Sequence, residues 1–277
     1  MSSKVALVTG ASSGIGEATA LKLHELGYTV HAAARRVERM THLAERGIHP
    51  LAMDVTDDDS MRGGVERIVA ESGRVDVLVN NAGYGSYGAL EDVPMSEARY
   101  QFEVNVFGAA RLAQLVLPHM RAQRGGRIVN VSSMGGKIYT PLGSWYHATK
   151  FATEGLSDCL RLEVAPFGVH VVLIEPGGIK TEWGGIAADH LLKVSGEGAY
   201  ADRATAVASA MNPANGEARG SEPSVVADAI AKAVTARRPK ARYAMGLGAR
   251  PAILARRVLP DHAMDTLVNF TLRAAAR

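Results

Sequence analysis

The chain has a single cysteine, Cys159, among 277 residues. No intramolecular disulfide can form and no cysteine cluster can hold a metal, so Cys159 reads as a buried or idle thiol in a reducing compartment. The nine histidines show neither HxxxH nor HExxH spacing, which argues against a catalytic metal. Aromatic residues are only 5% of the chain. No segment approaches the roughly 18 uninterrupted apolar residues of a membrane span. Charge of one sign is missing too: 31 Lys and Arg against 28 Asp and Glu leave +3, scattered along the chain, which does not favour a nucleic-acid partner. Met1 to Lys4 lead straight into Val5-Ala6-Leu7-Val8, so no secretory leader is expected. A cytoplasmic protein without stable membrane insertion follows as an expectation. What the sequence does hold is 47% hydrophobic residues, which suits one sizeable core and one domain over 1–277.

Short β-rich runs alternate with longer amphipathic stretches, the pattern of repeated βαβ units. Strands are expected at 5–9, 29–34, 49–54, 75–80, 126–132, 168–175 and 241–246. They contain few polar residues, as strands covered on both faces do. The expected fold class is therefore α/β, a Rossmann-type, doubly wound, mostly parallel seven-stranded sheet with helices on both faces. Its ligand should lie beyond the carboxyl ends of the strands. Residues 183–222, rich in Ala, Gly, Glu and Asn, break the alternation and read as an inserted substrate lid, either mobile or partly disordered.

Four motifs sit at strand ends. "TGASSGIG", Thr9 to Gly16, follows the first strand and opens a helix. Glycine permits a tight turn and close approach of a pyrophosphate, and a helix N-terminus offers unpaired N–H groups. The spacing of Gly10, Gly14 and Gly16 is GxxxGxG, not GxGxxG, and alone it is equally an ordinary tight turn. After the second strand stand Arg35 and Arg36, where an acidic residue would accept from a ribose 2′-hydroxyl. Guanidinium groups donate instead, and a 2′-phosphate suits them, so NADP(H) is the preferred cofactor with NAD(H) still possible. "NNAGYG", Asn80 to Gly85, closes the fourth strand, and by itself could be turn residues. "SWYHATK", Ser144 to Lys150, puts Tyr146 and Lys150 on one helix face, thirteen residues beyond Ser133. A neighbouring ammonium favours phenolate and lets tyrosine exchange protons near neutral pH, although YxxxK also occurs by chance on many helices.

In this order the motifs resemble the short-chain dehydrogenase/reductase family, from Lys4 to about Thr181, with a finer likeness to its 17β-hydroxysteroid and retinol dehydrogenase-like group. Asn105 in "FEVNVFG" and "PGGIKT" at 176–181 belong to the resemblance. It implies Tyr146 as general acid or base at the substrate oxygen and Ser133 as the group that orients that oxygen. Lys150 would hold the nicotinamide ribose and lower the Tyr146 pKa, with Asn105 anchoring a relay water. For the cofactor it implies the phosphates at Gly10, Ser12, Ser13, Gly14, Ile15 and Gly16, and the adenine edge at Asp54 and Val55. The ribose region falls to Asn81, Ala82 and Gly83, and the nicotinamide to Pro176, Gly177, Ile179 and Thr181, with Tyr146 and Lys150. Ser13 stands where some NADP-preferring members carry a basic residue, which leaves a 2′-phosphate to Arg35 and Arg36. The implied activity is an oxidoreductase interconverting an alcohol and a ketone or aldehyde. Family members commonly form homodimers or homotetramers through helices around 96–121 and 144–166.

Met134, Tyr139, Leu142, Trp183, the 184–215 segment and Tyr84 are candidate substrate-pocket residues; being largely apolar and aromatic, they favour a small lipophilic alcohol or carbonyl over a sugar or hydroxy acid. His147, adjacent to Tyr146, reads as a packing or surface residue. Asp57 to Asp59 read as a helix N-terminal cap region. The stretch after Ala252 alternates apolar and basic residues and reads as a helix near the substrate mouth or against another subunit, more economically than as one on a membrane surface. A non-catalytic, NADP-binding redox sensor is the competing function, and retention of Asn105, Ser133, Tyr146 and Lys150 together argues for the enzyme.

Overall fold

A computed structural model of the chain describes residues 3–211 and 220–275. Seven strands form one sheet in the order β3-β2-β1-β4-β5-β6-β7. They are β1 (Val5–Thr9), β2 (Thr29–Ala34), β3 (His49–Ala52), β4 (Val77–Asn80), β5 (Gly126–Val131), β6 (Val169–Pro176) and β7 (Arg242–Met245). Every pairing is parallel, so the sheet is wholly and not mostly parallel. The fold class is otherwise as expected. β4 starts two residues later than the pattern suggests; Asp76 still bonds Val5 O and Arg127 N through its backbone, while its carboxylate accepts the Val5 N–H and pairs with Arg74.

The strands alternate between two cores, as a period of two requires. Ala6, Val8, Val77, Val79, Val129, Val172 and Ile174 face one layer, built by helices α1 (Gly14–Glu25) and α9 (Pro223–Thr235). Val5, Leu7, Leu78, Ile128, Val169 and Val171 face the other, against α3 (Asp58–Ser72), α5 (Gly108–Ala122) and the end of α6 (Ser144–Val164). Between these α-helices lie the short α2 (Thr41–Ala44) and α4 (Met95–Phe102). The chain runs from β1 outward through β2 to β3 and returns to β4 on the other side, so β1 and β4 bound the switch-point crevice at the strands' carboxyl ends.

The lid expected over 183–222 is largely helical. Helix α7 (Glu182–Ser195) and α8 (Ala201–Met211) pack through Ala187, Ala188, Leu191, Ala204, Val207 and Ala208, and the four alanines let the two backbones approach. Residues 212–219 of that segment, including 212–215 of the pocket candidates, lie outside the described residues. The chain ends in α10 (Ala249–Val258) and α11 (Asp261–Ala275). These flank Tyr139: its hydroxyl donates to Asp265 at 2.9 Å, and the Arg256 guanidinium stands 5.4 Å from its ring centre. No helix among the described residues is long and apolar enough to cross a membrane.

Candidate active site

The loop between β1 and α1 turns at Gly10 (φ +64°) and Gly14 (φ +57°), both in the left-handed region that glycine alone occupies cheaply. Gly16 has a different reason: a Cβ there would stand 2.2 Å from the Gly10 carbonyl oxygen. The exit of β4 is laced to this loop, for Asn81 Nδ2 donates to the Thr9 and Gly10 carbonyls at 3.0 and 3.2 Å. Thr9 Oγ1 accepts from the Asn81 and Ala82 N–H groups. The Asn81 side chain thus shapes the loop. Ser13, the N-cap of α1, makes no side-chain cap bond, so this helix start keeps backbone donors for an anion.

Arg35 and Arg36 follow β2 at the same end of the sheet. Arg35 Nη1 donates to the Tyr100 hydroxyl at 3.0 Å, and neither arginine makes a salt bridge among the described residues. Their neighbour Arg39 grips Glu182 with both guanidinium ends, at 2.8 and 3.2 Å. Asp54 Oδ1 accepts from Thr56 N and Oγ1, which closes the turn after β3, and the Val55 carbonyl lies where a Cβ on Gly108 would meet it at 2.3 Å. Beyond β6, Gly177 N donates to Met245 O, and Thr181 caps α7 with its methyl near Gly14. An uncapped helix start, glycines that open the loop and two arginines without carboxylate partners suit a dinucleotide with an extra phosphate.

Opposite this loop, Ser133 follows β5 and Tyr146 and Lys150 stand one turn apart on α6. Tyr146 is only 7% exposed. Burial pushes its pKa up to about 12, opposed by a hydrogen bond with the Ser133 hydroxyl. Ser133 Oγ also accepts the Gly135 N–H at 2.9 Å. Lys150 is buried as well, its Nζ donating to the Val131 carbonyl at 3.0 Å and lying 5.9 Å from the Tyr146 ring centre. Burial lowers its pKa to about 8, and the Glu154 carboxylate opposes that fall. The expected depression of the phenol by the ammonium is therefore not the dominant effect. Burial governs both groups and holds the phenol protonated.

Asn105 lies within a π-helical turn, Glu103–Phe107, between α4 and α5, a widened turn of the kind often found at functional sites. Its Oδ1 accepts from Tyr84 N, and its Nδ2 donates to Tyr84 O and Thr149 Oγ1. Tyr84 itself is turned away from the Tyr146 cluster, its hydroxyl donating to Glu97 at 2.9 Å. Tyr87, three residues on in the same irregular loop, takes the place expected for it. The rings of Tyr87 and Trp183 lie 5.4 and 5.2 Å from that of Tyr146, and Gly85 has no room for a Cβ beneath Trp183. His147, read from the sequence as a packing or surface residue, is buried and hydrogen-bonded at both ring nitrogens. Adjacency on a helix turns it from the Tyr146 hydroxyl but not out of the core. Among the described residues no cluster of His, Cys, Asp or Glu could hold a metal, and Cys159 is exposed.

Residues 4–189 match the family described as short chain dehydrogenase. The chain belongs to that family. Across almost its whole length this short-chain dehydrogenase is 38% identical to the oxidoreductase YusZ of Bacillus subtilis, over 98% of this chain and 99% of the relative. It is 35% identical to an NADPH-dependent 3-dehydrocapnine reductase of Ornithobacterium rhinotracheale, over 98% of each. A solved short-chain dehydrogenase from Streptomyces avermitilis superposes with a TM-score of 0.80 at 34% identity, covering 99% of this chain and 98% of that one. The protein is an oxidoreductase whose family uses a nicotinamide dinucleotide.

Proposed function

We propose that this short-chain dehydrogenase reduces a ketone carried on a lipophilic, long-chain molecule to the secondary alcohol, with NADPH preferred over NADH. The observation that carries the reading is Tyr146: a buried phenol, protonated throughout the neutral range, bonded to Ser133 and roofed by Tyr87 and Trp183. When bound, the nicotinamide supplies a hydride to the carbonyl carbon. The Ser133 hydroxyl orients the carbonyl oxygen, and Tyr146 donates its proton there as the C=O bond becomes C–OH. Lys150, with N–H groups beyond the one given to Val131, would hold the ribose hydroxyls and return a proton to the tyrosinate, with a water anchored at Asn105 as the link to solvent. The loop Gly10–Gly16 would hold the phosphates, and Arg35 and Arg36 would read the 2′-phosphate.

Aromatic and apolar walls at Tyr87, Leu142 and Trp183 support a lipophilic substrate. The test is NADPH consumption over a ladder of ketones, from short methyl ketones to 3-ketones of sphingoid length, beside ketoses and 2-oxo acids. We expect kcat/KM to climb with chain length, by at most about fourfold per newly buried methylene. A preference for the ketoses or 2-oxo acids would sink the lipophilic reading. Exposed Phe107, just before α5, and Phe151 and Leu162 on α6 support a homo-oligomer formed through those helices.

A second expectation concerns pH. Lys150 titrates at about 8 whereas Tyr146 stays protonated to about 12, so rising pH removes the ammonium first. The kcat/KM for reduction should be level at lower pH and fall above about 8, towards about tenfold per unit. A profile level from about pH 7 to about pH 10 would remove Lys150 from the proton path.

A further inference from the structure

His147 sits one residue after the proposed proton donor and is 7% exposed, yet both of its ring nitrogens are engaged. Nδ1 lies 2.8 Å from the Gly135 carbonyl oxygen. Nε2 lies 3.0 Å from both the backbone nitrogen and the hydroxyl of Thr140. A carbonyl can only accept and a backbone N–H can only donate, so these partners admit one form of the ring: neutral, with the proton on Nδ1. Burial, the largest influence on the imidazole pKa, lowers it and works in the same direction, against the backbone bonds with Gly135 and Ile138, which raise it. The ring is also wedged between aromatic edges, 5.7 Å from Tyr146 and 6.5 Å from Tyr87.

Both bonded partners belong to one segment, residues 133–143. That segment starts with Ser133 and carries Tyr139 and Leu142, the latter held at φ +63°, a strained conformation for leucine. It crosses His147 so closely that Cβ atoms on Gly135 and Gly143 would meet the imidazole at 3.2 and 2.9 Å. Gly143 O also accepts the His147 N–H, at 2.9 Å. The imidazole therefore ties the serine-bearing segment to the helix that carries Tyr146 at two separate points. One point is two residues from Ser133, and the other is two from Leu142.

We infer that His147 is a positioning residue which, as the Nδ1–H tautomer, sets the Ser133 hydroxyl through Gly135 and the substrate wall through Thr140. The inference rests on the reading of Tyr146 as proton donor. Its two bonds predict a separable result. His147→Asn keeps a donor near Gly135 and loses the acceptor for Thr140, so KM should rise about tenfold while kcat stays within about threefold. His147→Gln keeps an acceptor for Thr140 and loses the donor to Gly135, so kcat should fall about tenfold with KM little changed. His147→Leu loses both, for a drop in kcat/KM on the order of 100-fold, while NADPH affinity holds.

The experiment measures steady-state NADPH oxidation for the three variants with the best ketone of the ladder, and NADPH binding by fluorescence. Beside them, nitrogen-15 shifts of the wild-type imidazole are recorded at neutral pH, which needs no substrate. Opposite kcat and KM effects for Asn and Gln, with an Nδ1–H signature, support the inference. Three variants that turn over like the wild type, equal losses for Asn and Gln, or an Nε2–H or imidazolium signature overturn it. Should the Leu variant fail to fold, the Asn and Gln pair decides, since each keeps one bond. Tyr146→Phe is assayed in parallel: if it is inactive and the His147 variants are normal, only this inference fails, whereas full activity in Tyr146→Phe removes the catalytic reading beneath it.

Discussion

Tyr146→Phe is expected to cut kcat for ketone reduction by about a thousandfold while NADPH affinity stays within about twofold, because a positioned general acid typically supplies a factor of 10²–10⁴. Phenylalanine preserves the ring that packs at 5.4 Å from Tyr87 and 5.2 Å from Trp183, so the cavity is not reopened. Only the hydroxyl is lost, and Ser133, its partner, keeps the Gly135 N–H. The cost in stability should therefore be small, within about 1 kcal/mol, the ordinary net value of one hydrogen bond. Thermal melting and single-turnover hydride transfer separate the two effects. A variant that retains more than about a tenth of wild-type kcat would show that some other group delivers the proton. The same assay decides against a redox sensor, for a sensor has no turnover to lose.

Replacing Arg35 by Asp and Arg36 by Ala should raise the NADPH dissociation constant about 100-fold and that for NADH less than about threefold. Two charge-assisted hydrogen bonds to phosphate are lost, and a like charge is placed against it. Neither arginine makes a salt bridge among the described residues, so their removal strands no carboxylate; Arg35 gives up only its bond to the Tyr100 hydroxyl. Both side chains are exposed, so the contrast should shrink as salt screens it. Fluorescence titration at two ionic strengths reads both claims. Equal weakening for the two dinucleotides would assign 2′-phosphate reading elsewhere, and Arg39, already committed to Glu182, would be the next position to replace.

Strand positions were legible because β1, β2, β4, β5 and β6 feed apolar side chains to both cores, and the loop Gly10–Gly16 because glycine is demanded there by φ at two positions and by a 2.2 Å approach at a third. Ser133, Tyr146 and Lys150 were legible only through the family resemblance, since YxxxK alone occurs by chance, and the structure brings all three together. The lid was not. In "EWGGIAADHLLKVS" the buried Ala187, Ala188, Leu191 and Ser195 recur at helical spacing, but alanine and glycine carry too little hydrophobic contrast to display the period. Tyr84 and Tyr87 were exchanged for a related reason: in "NNAGYGSYG" the backbone is irregular, so no periodicity says which ring faces Tyr146. The balance of pKa values was hidden as well. Sequence shows a lysine one turn from a tyrosine, whereas the cost of burying both is set by tertiary packing.

Thr181, Glu182 and Trp183 are consecutive, yet they reach three different places: Gly14 in the phosphate loop, Arg39 beyond β2, and the Tyr146 ring. A strip of backbone this short has no slack with which to lift at one end alone. The start of α7 therefore ties the β1–α1 loop, the turn after β2 and the Tyr146 ring to one another through three adjoining residues.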